Sequence, residues 1–179
     1  YNFKELRSEL SDLGVKFLSS SDTEVLLSSW ITWKENCLWR EKNNWKGCIY
    51  GAPKQVSETI SLFVPIFILE MHNDENVIQG VGLIKNAVSV DKYYKIYSDG
   101  NYNRYTYKSE YRVDRNDMTE YEEKIMSIFD TLVFKGERHL KRGQGIIAVS
   151  PWIKNNKHIN FVQFFKNMFS KHFQSSTKV

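Results

Sequence analysis

Apolar residues recur along this chain with a helical period at both ends and a strand-like period in the middle. Phe3, Leu6, Leu10 and Leu13 fall three and four residues apart before Gly14, which predicts a short amphipathic helix. Ser21 or Asp22 then stands where an N-cap would, with Val25, Leu26, Trp30 and Trp33 as the apolar face of a second helix. From Cys48 the period changes. Cys48–Tyr50 and Leu62–Glu70 are expected strands, and Val77–Lys85 alternates around Gly80 and Gly82. His72–Asn76, HNDEN, reads as the hairpin turn between them, since it lacks the Gly and terminal Glu spacing of a calcium loop. Lys92–Tyr97 is expected to continue the sheet, Ser98–Asn101 to turn, and Asn103–Val113 to return, with mostly antiparallel pairing.

Helical spacing resumes at Thr119. Thr119 and Glu122 make a capping box, and Ile125, Ile128, Phe129 and Leu132 supply the stripe a helix would bury. Glu120, Glu122 and Glu123 complement the helix dipole, a structural role. Ile146–Val149 predicts a last strand, Pro151-Trp152 a turn, and His158–Phe173 a helix bearing Phe161, Phe164, Phe165, Met168, Phe169 and Phe173. That ring-rich face should bury itself on its own chain; left bare, it would take a protein partner. The expectation is an α+β protein with a helical segment over 1–44 and one α+β domain over 45–179 that ends in a helix.

A hydrophobic share of 41% and a charged share of 26% fit a packed core and exclude disorder as the main state. The net charge of +4 gives only a mild preference for anions, but its distribution says more: from Pro151 onward there are five lysines and no carboxylate. Cys37 and Cys48 lack zinc-site spacing and are expected to stay reduced inside a cell. The longest apolar stretch is broken by Pro65 and closed by Glu70, and no signal-peptide pattern precedes it, so no membrane partner is expected. Oligomeric state leaves no signature.

Candidate chemistry concentrates in basic and aromatic positions. Over Tyr102–Arg115, Tyr105, Tyr107 and Tyr111 share one parity while Arg104, Lys108 and Arg112 share the other. A strand would thus set stacking rings beside phosphate-binding cations, with Tyr102 by the turn; packing of the rings into a core is the alternative. Lys135, Arg138, His139, Lys141 and Arg142 crowd one segment beside Gly143 and Gly145, where backbone amides and side chains can approach a phosphate together. Trp39 and Trp45 sit among basic and amide residues and are better pocket rings than Trp30. HExxH, paired CxxC, GxSxG and kinase motifs are missing, and the four histidines lack metal-ligand spacing, so the leaning is away from an enzyme, with no cofactor and no metal.

Tyr50-Gly51, Phe67–Glu70 and Gly80-Val81-Gly82 resemble, loosely, the strands of PUA-like domains, the superfamily that includes EVE and YTH modules. That resemblance implies a small mixed or mainly antiparallel β-barrel with packed terminal helices, and recognition of RNA or a modified nucleotide at the barrel mouth. Trp39, Trp45, Tyr50 and Trp152 are the candidate cage rings. YKIYSDGNYNRYTYK followed by FKGERHLKRGQGI also resembles an uncharacterised protein of large DNA viruses. It implies an origin, with the host cytoplasm or a viral factory as the setting. The resulting expectation is an RNA or single-stranded nucleic-acid binding module; the alternative is a viral structural or assembly protein with nonspecific DNA contact.

Overall fold

The computed structural model describes residues 25–29, 33–56, 59–135, 140 and 145–174. The helix expected over 1–13 lies outside them, as do Arg138, His139, Lys141 and Arg142. The described chain runs β1 (Val25–Ser29), α1 (Trp33–Lys42), β2 (Cys48–Ala52), β3 (Pro65–His72), β4 (Val77–Lys85), β5 (Tyr105–Ser109), β6 (Arg112–Asp114), α2 (Glu120–Phe134), β7 (Ile146–Ala148), α3 (Pro151–Lys154) and α4 (Phe161–Gln174). This is a mixed α+β protein, as expected.

Five strands form one sheet in the order β6-β4-β3-β1-β7, and β2 pairs with β5 in a second. All pairings are antiparallel except β1 with β3. Among the described residues both sheets are open, so the expected barrel is not shown. Closure requires the outermost strands to pair, and here β6 and β7 end the large sheet while β2 and β5 pair with each other.

Two further expectations change. Val25–Ser29 is a strand and not the start of a helix, paired with β3 from Val25↔Ile66 to Ser29↔Glu70 and with β7 on its other side. A short apolar run is ambiguous by periodicity alone, and hydrogen-bond partners on both sides decide it. Among the described residues helix α1 spans Trp33–Lys42. Lys92–Tyr97 is irregular instead of a strand, although Tyr94, Ile96 and Tyr97 are buried. The Asn103 side chain replaces a neighbouring strand: its Oδ1 accepts from the amides of Ile96 (2.9 Å) and Tyr97 (3.0 Å), and its Nδ2 donates to Tyr97 O at 2.8 Å.

The large sheet has two unlike faces, set by the two-residue period of its strands. Phe67, Leu69 and Met71 of β3, Ile78 and Val81 of β4 and Val113 of β6 join α2 and α4 in one apolar core. Phe129 of α2 meets Phe161 at 4.3 Å between ring centroids, and Phe67 meets Phe165 at 5.6 Å. The C-terminal ring face is therefore covered by its own chain, as expected, and is not left bare for a protein partner. The Thr119 capping box on α2 is formed as predicted. Pro151-Trp152 opens the single helical turn α3 instead of a plain turn. On the opposite face, Ile66, Ile68 and Ile84 pack with Cys48, Tyr50 and Tyr107 of the small sheet. Among the described residues, no helix is long and apolar enough to cross a membrane.

Candidate functional site

The polar centre of the molecule lies between the two sheets. Glu70 interrupts an apolar strand, and burial obliges its carboxylate to find partners. Arg112 supplies them from β6. Its Nη2 donates to Glu70 Oε2 at 2.7 Å and its Nε to Oε1 at 2.9 Å, while Nη1 reaches Asp114 Oδ2 at 2.8 Å. Both side chains of the Arg112–Glu70 pair are almost wholly buried, at 4% and 5% exposure. From the small sheet, Tyr50 donates its hydroxyl to Glu70 Oε1 at 2.7 Å.

Two glycines of the intervening strand make room for this bridge. Gly80 stands in register between Glu70 and Asp114, and a Cβ there would lie 2.7 Å from both Arg112 Nη2 and Glu70 Oε2. A Cβ on Gly82 would lie 2.1 Å from the Tyr50 hydroxyl and 2.8 Å from Cys48 Cβ. Helix α1 is pinned to the same region. Asn36 Nδ2 donates to Ile49 O and to the Tyr97 hydroxyl, while Arg40 donates through Nε to Asn36 Oδ1 at 3.0 Å and through Nη2 to Cys37 Sγ at 3.1 Å.

Burial acts on Arg112, Tyr50 and both cysteines. It opposes the charge on Arg112, but Glu70 and Asp114 together hold that guanidinium charged, above the ordinary arginine range. Burial, with the Glu70 charge behind it, pushes the Tyr50 phenol well up, so Tyr50 remains a neutral donor. The Cys48 thiol is pushed up to about 12, first by burial and then by Glu70. Burial also raises Cys37, against the pull of Arg40. Amide hydrolysis by a thiol requires the thiolate, and neither cysteine is prepared to supply one near neutral pH. What this cluster can do is hold β2 against the large sheet, with α1 fastened to β2 in turn. Among the described residues, no group of three or more His, Cys, Asp or Glu side chains is placed to hold a metal ion.

The residues singled out from the sequence are dispersed over several surroundings. Arg112 is sequestered in the Glu70 bridge, whereas Arg104 is exposed with its guanidinium 5.9 Å from the Tyr105 ring centroid. Lys135 is exposed just after α2. Tyr107 is buried, and its hydroxyl accepts from the Val56 amide at 3.0 Å. Tyr102 packs edge-on against Tyr97. Trp39 meets Tyr94, and Trp45 donates from Nε1 to Cys48 O at 3.2 Å. The Lys108 ammonium stands 5.8 Å from the Trp45 ring, so those two tryptophans and Lys108 share one neighbourhood around Tyr94. Trp152 is apart on α3, at 37% exposure. Glu70, Asn36 and Arg40 were passed over. A lone carboxylate in an apolar strand was the signal that marks Glu70.

The glutamine amidotransferase domain family matches residues 1–59. Asparagine synthetase [glutamine-hydrolyzing] 3 of Bacillus subtilis (strain 168) is 44% identical over 55 residues, which cover 25% of this chain and 9% of that protein. The chain thus spans about a tenth of the length of that curated relative. No solved structure matches. The matched stretch includes α1 and β2; β2 reaches the Glu70–Arg112 bridge through Tyr50, and α1 is held to β2 through Asn36. These likenesses overturn four expectations. Over residues 1–59 the likeness is to amidotransferases, which stands against the PUA-like and viral families, the RNA or single-stranded nucleic-acid partner, the leaning away from an enzyme, and the viral structural role.

Proposed function

We propose that this protein belongs to the machinery that takes nitrogen from the glutamine side-chain amide, with residues 1–59 forming part of the glutamine-handling unit. The observation that carries this reading is the family match over those residues, supported by the glutamine-hydrolysing relative that is 44% identical over 55 residues. The reaction is glutamine plus water giving glutamate and ammonia. It needs a nucleophile, a proton carrier and donors for the oxyanion. In this reading α1 and β2 serve binding and positioning, because the two described thiols are both raised by burial. The test is incubation of the purified chain with L-glutamine, with glutamate measured by coupled assay and glutamine binding by calorimetry. Saturable binding with glutamate release is expected. Neither binding nor release would overturn the reading.

A further inference from the structure

The chain that crosses from β4 to β5 belongs to neither sheet, and two buried asparagines hold its ends. Asn86 donates from Nδ2 to Ile60 O at 2.7 Å and from its amide to Val64 O at 3.0 Å. At the other end Asn103 holds the amides of Ile96 and Tyr97, and the Tyr97 hydroxyl accepts from Asn36 of α1. Residues 89–95, between these anchors, are fastened differently. Val90, Asp91, Lys92, Tyr93 and Lys95 are exposed, and Tyr94 is the one buried side chain among them. Its ring stands edge-on to Trp39, 6.0 Å between centroids, in the apolar cluster that also holds Ile49 of β2 and Trp45. A single group of contacts closes this stretch. Tyr94 donates its hydroxyl to Asp91 Oδ2 at 2.6 Å, Lys108 of β5 donates to the same oxygen at 3.1 Å and to the Tyr94 hydroxyl, and the Ser89 amide donates to Thr106 O at 2.7 Å. The Lys108 ammonium also stands 4.9 Å from the Tyr94 ring centroid and 5.8 Å from that of Trp45, so one cation touches both the stretch and the rings beneath it. The side chains of Lys108 and Asp91 keep 32% and 54% of their exposure, which leaves the pair open to competition from water and salt. Local opening is drawn from segments with few buried apolar groups and solvent-accessible hydrogen bonds. A stretch tied at both ends by buried amides and closed in the middle by accessible contacts lifts in the middle first.

We propose that residues 89–95 are a flap, plugged by Tyr94 and latched by Lys108, which lifts off Trp39, Trp45 and Ile49 while Asn86 and Asn103 keep its ends in place. Opening bares two tryptophans that lie in the segment similar to amidotransferases. Helix α1 stays seated meanwhile, because the Asn36–Tyr97 contact lies beyond the flap. The flap does not depend on the glutamine reading and stands or falls by itself.

Trypsin digestion of the full folded chain tests this, with cut sites read by mass spectrometry and rates set against a free peptide of residues 89–98. A protease needs the segment to leave the surface, and with Tyr94 buried two residues on, cleavage after Lys92 follows the open population. Slow cleavage there is expected in the unaltered chain under native conditions. Lys108→Met should speed it about three- to tenfold, the loss of one net hydrogen bond. Tyr94→Phe keeps the ring and loses both hydroxyl bonds, so it should act to the same extent, and it carries the test if Lys108→Met does not fold. Raising sodium chloride from about 0.05 to about 0.5 M should speed cleavage of the unaltered chain, relative to the peptide, and leave Lys108→Met unchanged. Cleavage after Lys92 that ignores both variants, or that is absent until the whole chain unfolds, would overturn the proposal. So would a rise shared equally by sites outside residues 86–103, since that is general loosening and not a flap.

Discussion

The two faces of the five-stranded sheet are both closed to solvent, yet they are closed by different physics. Under α2 and α4 the contact is made of rings and aliphatic groups, with Phe67, Phe129, Phe161 and Phe165 in mutual contact. Under the small sheet an ion pair and a phenol sit among isoleucines, and two glycines clear the path between them. An apolar contact tolerates small displacements because dispersion and water exclusion have no direction. The Glu70–Arg112–Tyr50 bridge does not, since each buried charge depends on particular atoms of its partners. The polar face therefore fixes the register of β2 against the large sheet, while the apolar face supplies most of the cohesion. The segment similar to glutamine amidotransferases includes β2, whose Tyr50 is part of that bridge.

That contrast can be broken by substitution. Phe129→Ala on the apolar face and Arg112→Met on the polar one are each expected to lower the unfolding free energy by about 3–5 kcal/mol, the first through a cavity and the second by leaving Glu70 buried and unpaired. The second changes separate them. Adding Glu70→Leu to Arg112→Met should regain part of the loss, because no buried charge is then stranded. No small substitution restores Phe129→Ala. Urea unfolding of the three variants beside the unaltered chain measures this, and a loss below about 1 kcal/mol for Arg112→Met would show that water reaches Glu70.

A smaller effect concerns the edge of the apolar face. Glu122 is buried and accepts from the Thr119 amide at 2.9 Å, with His172 of α4 at 3.1 Å from the same oxygen. Burial raises its carboxyl, but those contacts together outweigh it and hold the group below the usual range. Its contribution is thus complete above the unfolded-chain value of about 4.3 and is lost as pH falls through the lower folded value. Stability should decline with acid across that window, and less steeply in Glu122→Gln. Thr119→Ala should cost about 1 kcal/mol at neutral pH through the lost cap. A pH profile unchanged by Glu122→Gln would place the acid sensitivity elsewhere.

Legibility in the sequence followed locality. The Thr119 capping box, the His72–Asn76 hairpin and the C-terminal ring-bearing helix depend on neighbours three or four residues apart, and all three are present. Val25–Ser29 depends on partners around residues 66–70 and 146–148, and its spacing misled toward a helix. Arg112 looked like a surface cation because its acceptor lies 42 residues away on β3. The tyrosines of 102–107 offered stacking or core as alternatives, and Tyr107 lies in the core.

By itself the sequence determined which segments carry helical caps, where the chain reverses, and that it buries a mixed α+β core. Its likeness to glutamine amidotransferases over residues 1–59 is also written there, although no motif sought in it was an amidotransferase one. Only the tertiary structure decided that β1 lies inside the sheet and that Glu70 meets Arg112 and Tyr50. The division has one cause. Caps and turns are stabilised by contacts that neighbouring residues make with one another, whereas a charge in a strand is tolerable only once distant chain has closed over it and paired it.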